Sequence, residues 1–228
     1  MFSIVFPMDT ARLPQFHKTK LVYDDMPQEK EFVIPTRSEA EVKKYLKKHN
    51  LMKDVRLIPY EWTEGFNPSM GLNLGIKNAK SEYVVITSPE VIPTTPVLEQ
   101  LSELFGHNVI CQTFDEREDG STYSLVNRAY RNDSVKAHFL ALFNKKDLLS
   151  INGFDEDFMY GYAYEDDDLG ARWNRAGLPF EIREDINGLH QYHDRLETIP
   201  SGSQLNFDKF NDNTIKGIVF CKNGIVKQ

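Results

Sequence analysis

The sequence predicts a single α/β domain, with a mostly parallel central sheet flanked by helices and a small antiparallel element in its second half. Three observations carry this expectation. Short β-branched and aromatic runs alternate with charged or small-residue segments as far as Val109-Ile110-Cys111, the strand, loop, helix order that builds parallel sheets with helices on both faces. No internal repeat, low-complexity tract or break in composition divides the chain. At 228 residues and 40% apolar it buries a sizeable core without being forced to split.

The elements follow in order. Phe2 to Phe6 reads as the first strand, and Pro7 to Arg12 as the loop at its carboxyl end, where open α/β sheets bind ligands. Glu31 to Pro35 is a second strand, leading through Thr36-Arg37-Ser38-Glu39 into a charged helix to about Asn50, with Ser38 or Thr36 as cap. Asp54 to Tyr60 is a third strand. Gly65 to Ala79 is a helix with Asn67 at the cap and Pro68 in the first turn, its small residues allowing close packing on the sheet. Lys80 to Thr87 is a buried strand with Ser88-Pro89-Glu90 at its carboxyl end. A loop from Asp115 to Ser124 opens the second half, where Ala137 to Phe143 reads as a strand and Lys145 to Ile151 as a short helix.

From Glu165 the chain reads Glu-Asp-Asp-Asp-Leu-Gly-Ala-Arg-Trp-Asn-Arg-Ala-Gly, a helix that complements its own dipole and stops at Gly177. Capping accounts for one or two of these acids. Leu169, Trp173 and Ala176 mark the buried stripe; helical spacing puts Glu165 and Asp166 on that side and turns Asp167 and Asp168 away. Burying a carboxylate without a partner is costly, so the inward pair points to a polar cleft, and a helix amino terminus favours the ionised form that a general base needs. Asp185 to His193 alternates like a late strand. On a regular strand His190 and His193 face opposite ways, so they share an ion only if the strand ends or bends between them; otherwise they read as hydrogen-bonded structural residues. Residues 194–214, polar with Phe207 and Phe210, read as a long loop serving as a lid or as frayed surface. Ile218 to Cys221 and Ile225-Val226 read as a hairpin through Asn223-Gly224.

Two widely separated cysteines, Cys111 and Cys221, lack disulfide-scaffold and metal-ligand spacing, and no run approaches the ~20 apolar residues of a membrane span. The start carries no signal-peptide pattern, so a soluble protein of a reducing compartment is expected. A net charge of -7 disfavours a non-specific grip on DNA, although a local basic stripe of Arg128, Arg131 and Lys136 could meet a phosphate. Asp155, Asp157 and the later acids lack the ligand alternation and central glycine of an EF-hand.

The run Gly153-Phe154-Asp155-Glu156-Asp157-Phe158 through Tyr162-Ala163-Tyr164-Glu165-Asp166-Asp167-Asp168 resembles the carboxyl-terminal motif of metal-dependent, inverting glycosyltransferases of the Rossmann-like GT-A fold. The resemblance is to the β-1,4-galactosyltransferase branch and its family 2 relatives. That branch has Trp-Gly-Gly before the acids; here Tyr162 keeps an aromatic and the glycines are lost. The resemblance implies Asp166 as the base that deprotonates an acceptor hydroxyl and Glu165 as the residue holding that acceptor. It implies His193 as a metal ligand, with His190 where the galactosyltransferases have a methionine. Where GT-A enzymes carry Asp-x-Asp this chain has Ser88-Pro89-Glu90, so Glu90 takes the ligand position and the first acid is missing; Glu90 also reads as a surface residue in a turn between prolines. One carboxylate, an imidazole and diphosphate oxygens suit Mn²⁺, or Mg²⁺.

The same resemblance implies a nucleotide-sugar donor, expected to be UDP-linked, bound by Pro7, Asp9, Arg12, Thr36, Asn67, Ser88, Pro89 and Tyr162, although the polar members read equally as ordinary loop or cap residues. Residues 1–110 then form the donor half and 111–228 the acceptor and catalytic half, with the lid at 194–214. A glycan, a lipid-linked sugar, a protein or a modified nucleobase all remain open as acceptor, as do the donor sugar and the oligomeric state. Without the anchor and disulfides of the secretory galactosyltransferases, the chain is expected in the cytoplasm of a bacterium or a virus-infected host cell. The alternative is a nucleotide-sugar or glycan binding module without catalysis.

Overall fold

The structure, a computed structural model, describes residues 1–61, 67–125, 139–159, 163–194 and 200–226. Its strands are β1 (Phe2–Val5), β2 (Lys30–Thr36), β3 (Val55–Pro59), β4 (Tyr83–Thr87), β5 (Val91–Pro93), β6 (Val109–Glu116), β7 (Thr122–Ser124), β8 (Leu140–Asn144) and β9 (Glu181–His190). They form one sheet ordered β3-β2-β1-β4-β8-β6-β9-β5, with β7 beside β6. The pairings among β1 to β4 are parallel. Strand β8 is antiparallel to both β4 and β6, whereas β9 lies parallel to β6. Two reversals cancel, so the carboxyl ends of β1, β2, β4, β6 and β9 meet at one edge of the sheet.

Alternation along each strand divides the core in two. Ile4, Phe32, Ile34, Val85, Val109 and Leu142 face α1 (Leu13–Asp24), α2 (Glu39–Lys48) and α4 (Val97–Ser102). Val5, Val33, Val84, Ile86, Ile110 and Phe143 face α3 (Pro68–Asn78), α5 (Lys145–Ser150) and α6 (Glu165–Arg175). This period of two is what a sheet covered on both sides requires. Helix α3 sits so close that a Cβ at Gly75 would stand 2.2 Å from Val5 Cγ1, which explains the small residues in that helix. Asn67 caps it as expected, accepting from the Met70 amide at 3.1 Å. Thr36, rather than Ser38, uses its side chain before α2, accepting from the Ser38 amide at 3.2 Å.

The second half departs from the sequence reading in several places. The acidic stretch after Asp115 closes a β6–β7 hairpin instead of forming a loop, with Gly120 at φ 77° in the turn. Residues 200–215 fold as a helix, α7 (Pro200–Ile215), rather than a loop. The expected hairpin at 218–226 does not form. The chain there wraps Asn152, whose side-chain amide donates to Cys221 O at 2.8 Å and Val226 O at 2.9 Å and accepts from the Val226 amide at 2.7 Å. Asn152 thus takes the place of a partner strand. The start of the strand expected from Ala137 and the stripe of Arg128, Arg131 and Lys136 lie outside the described residues. Pairing of β6 with β9 also slips: Cys111 lies opposite Arg183 but Gln112 opposite Asn187, so residues 184–186 bulge out. Among the described residues no helix is long and apolar enough to cross a membrane.

Candidate metal and acceptor site

Glu90 follows β4 by a tight turn in which the Val91 amide bonds Ser88 O at 3.1 Å. Short strand β5 then pairs with the end of β9, setting Val91 opposite His190. Strand β9 stops at His190, which meets the condition for the two histidines to face one place. Their imidazoles lie edge to face at 5.2 Å, with His193 Nε2 3.4 Å and His190 Nε2 3.8 Å from Glu90 Oε1. Arg12 approaches the same oxygen at 3.5 Å. Glu90, His190 and His193 offer three ligand atoms within 4.8 Å of one another.

Burial opposes the charge on Glu90, but the hydrogen bond from His193 and the neighbouring positive groups outweigh it and hold the carboxyl below its usual range. Burial lowers His190, while the bond to Glu90 raises His193. The second oxygen of Glu90 is buried and has no hydrogen-bond partner among the described residues. A buried anionic oxygen without a partner, beside two imidazoles, is a donor set that fits a divalent cation.

Other residues expected at the donor site line the same edge. Pro7 packs near Gly71 and Tyr60, since a Cβ on Gly71 would stand 3.1 Å from Pro7 Cβ and 3.4 Å from the Tyr60 hydroxyl. Asp9 caps the turn Thr10–Arg12, accepting from the Ala11 amide at 2.9 Å, and pairs with Arg37 at 3.5 Å. Thr36 is fully buried and Pro89 buried, and the Ser88 hydroxyl is buried with no hydrogen-bond partner among the described residues. Asn67 is engaged structurally: besides its capping bond it donates to Glu156 O at 2.9 Å. Asn73 of α3 likewise holds Phe154, so these asparagines clamp the 154–156 loop. Tyr162 lies outside the described residues.

Helix α6 runs back along the sheet, because its carboxyl end leads directly into the start of β9. Chain order thus directs its amino terminus toward the end of the sheet at which β9 finishes. Leu169 and Trp173 anchor it, Trp173 lying 5.1 Å from Phe143 of β8. Glu165 and Asp166 are buried as expected, at 9% and 3% exposure. Asp167 and Asp168 do not turn away to solvent. Asp168 is fully buried, taking Arg172 Nε at 2.6 Å and Asn213 Nδ2 at 2.8 Å. The reason is α7, which covers the face that the periodicity of α6 alone assigns to water.

The turn before α6 is strained. Ala163 and Tyr164 have φ of 75° and 77°, a region costly for residues with a Cβ. These are the positions where the galactosyltransferase motif has glycines, so the substitution has a backbone consequence. Helix α7 braces the turn: Asn206 donates to Ala163 O at 3.1 Å, and the Tyr164 ring meets Phe207 and Phe210 at 5.3 and 5.9 Å. Lys209 ties α7 to Asp155 at 3.1 Å and Asp157 at 3.4 Å.

Sequence reading missed Arg37 and Tyr60 beside Asp9 and Pro7, and Asp115 beside His190. Only the position of Arg37 and Tyr60 at the ends of β2 and β3 could have signalled the first two. No local pattern announces Asp115.

The sheet order and the helices on both faces are those of the GT-A fold of glycosyltransferases. The solved structures agree. S. aureus TarS 1-349 matches with a TM-score of 0.70 at 14% identity, over 95% of this chain and 64% of that one. The mannosyltransferase PcManGT from Pyrobaculum calidifontis, in complex with GDP-Man and Mn²⁺, matches at 0.65 and 15% identity, over 94% of this chain and 64% of that one. Residues 128–194 match the family described as the N-terminal domain of galactosyltransferase. A stretch of 72 residues is 35% identical to the uncharacterized glycosyltransferase YfnE of Bacillus subtilis (strain 168), covering 30% of this chain and 18% of that protein. The chain thus aligns with less than two thirds of the length of either of these solved structures and with a small part of its curated relative.

Proposed function

We propose that this chain transfers a sugar, with inversion, from a nucleotide-sugar donor to an acceptor hydroxyl. The observation that supports this most is the convergence of Glu90, His190 and His193, in a chain whose α6 opens with the buried carboxylates Glu165 and Asp166. TarS has been solved with UDP and with UDP-GlcNAc, and PcManGT with GDP-Man, which favours a nucleotide sugar here, with UDP the first carrier to try. The nucleotide lies among Pro7, Asp9, Arg12, Thr36, Ser88 and Pro89, with Asn67 supporting the adjoining loop and Tyr162 contributing by resemblance. Glu90, His193 and His190 would hold Mn²⁺ or Mg²⁺, which when bound supplies positive charge to the leaving diphosphate.

Asp166 removes the proton from the acceptor hydroxyl as that oxygen attacks the anomeric carbon from the face opposite the leaving group, and Glu165 orients the acceptor. The helix amino terminus stabilises the carboxylate form of Asp166 before it accepts the proton. The base contributes ~10²–10⁴-fold. Burial of free Cys111 and Cys221 is in keeping with a cytoplasmic setting.

The test is a screen of UDP- and GDP-sugars for transfer and slow donor hydrolysis, with and without Mn²⁺, repeated on Asp166→Asn. The variant is expected to lose transfer by the factor above while its donor-induced thermal shift persists. Normal turnover would remove Asp166 from its role. Ser88 in place of the first motif acid favours the second reading, a binding module; donor binding with neither transfer nor hydrolysis would establish that reading instead.

A further inference from the structure

We propose that Asp115 is a positioning residue that presents His190 as the third ligand, giving a site of two imidazoles and one carboxylate that takes a borderline divalent cation in preference to Mg²⁺. The inference rests on the metal-dependent reading above and deepens it. Parallel pairing of β6 with β9 sets Asp115 directly opposite His190, and its Oδ1 lies 2.7 Å from His190 Nδ1. A carboxylate only accepts, so the proton of a neutral imidazole is drawn to Nδ1 and the lone pair is left on Nε2, the nitrogen facing Glu90.

Asp115 is fixed in turn. The Tyr123 hydroxyl of β7 donates to its other oxygen, and Arg117 lies 4.8 Å over the Tyr123 ring. Phe139 meets the His190 ring edge-on at 5.5 Å, limiting its rotation. This is the carboxylate–histidine arrangement that orients metal ligands, and losing the outer carboxylate typically costs ~10–100-fold in ion affinity. Nitrogen donors select along the series from Mn²⁺ to Zn²⁺, whereas Mg²⁺ prefers oxygen and keeps its water.

The experiment is calorimetric titration of the full chain, without nucleotide, with Mg²⁺, Mn²⁺, Co²⁺ and Zn²⁺, on the unaltered protein and on Asp115→Asn, Asp115→Glu and Tyr123→Phe. Imidazole ¹⁵N shifts of His190 report its tautomer. Expected are tighter binding of Co²⁺ and Zn²⁺ than of Mn²⁺, with Mg²⁺ weakest. Asp115→Asn should weaken Co²⁺ by ~10–100-fold and mix the His190 tautomers, with partial recovery in Asp115→Glu. Tyr123→Phe, which leaves Asp115 and all three ion-site residues in place, should shift both readouts the same way by less, and decides the matter if Asp115→Asn does not fold. Mg²⁺ binding as tightly as Co²⁺, or unchanged affinity and tautomer in the variants, would overturn the proposal. Because no donor is present, failure here beside retained sugar transfer removes only the ligand assignment, whereas the expected titration beside absent transfer removes the activity.

Discussion

Glu90 and Asp166 are both buried carboxylates, at 9% and 3% exposure, yet they sit in differently built surroundings. Around Glu90 the work is done by side-chain charge at strand ends: two imidazoles, Arg12 and, one step out, Asp115. The turn that leads into Asp166 is shaped by backbone conformation, with two left-handed residues forced into place and a helix laid over them. The comparison teaches that the strand-end half of the site gathers its charges around one oxygen, whereas the helical half packs a strained turn beside the fully buried pair Asp168–Arg172. The two should fail separately.

The largest expected effect is in the packed half. Arg172→Leu leaves Asp168 charged and buried and strips donors from Ile151 O and Gly153 O, both held at 2.8 Å. Urea unfolding should show a loss of about 3–5 kcal/mol. The double variant Asp168→Leu with Arg172→Leu should lose less, because no charge is then left alone. An equal loss in both would place the effect in packing rather than charge.

A smaller effect of opposite sign sharpens the contrast. Ala163→Gly removes a Cβ from a left-handed backbone and should raise stability by ~1 kcal/mol, read as a higher Tm, unless the freed chain entropy cancels it. A fall in Tm would show that the turn is not strained. Ion affinity should not change.

The mildest effects separate the halves by pH. In the strand half, burial disfavours the charge on Glu31, but hydrogen bonds from Ser3, Lys80 and Arg56 prevail and lower its pKa. Its contribution is therefore complete above the ordinary carboxylate range and is lost as pH falls through the depressed value. Lys209 is the reverse case: burial works against it, but Asp155 and Asp157 raise its pKa, so its contribution is complete below the ordinary lysine range and is lost as pH rises through the raised value. Hydrogen exchange, corrected for intrinsic rates, should loosen the amides of β2 first in acid and those of α7 first in alkali. Simultaneous loosening of both would erase the distinction.

Much of the strand half was legible in the sequence because its signals are local. Short β-branched and aromatic runs located β1 to β4, Asn67-Pro68 marked the start of α3, and the spacing of His190 and His193 stated the condition that the end of β9 then met. The packed half was less legible because its decisive contacts join distant residues. Asp168 looks solvent-facing to any reading of α6 alone, and only Asn213, 45 residues on, reveals that it is covered. Asp115 and His190 are 75 residues apart, and Asn152 reaches 74 residues to Val226. Polar composition at 200–215 hid a helix whose value lies in the few side chains it sends back to Ala163, Tyr164 and Asp155.

The slip between β6 and β9 acts as a ruler for the ion site. Because residues 184–186 are looped out, an odd number, everything beyond them is re-phased to the other side of the strand, and it is this displacement that brings His190 rather than Asn187 abreast of Asp115. Adding or removing one residue between the kink and His190, with the kink itself kept, would set Leu189 or Gln191 abreast of Asp115 and turn the ion-site side chains to the other face.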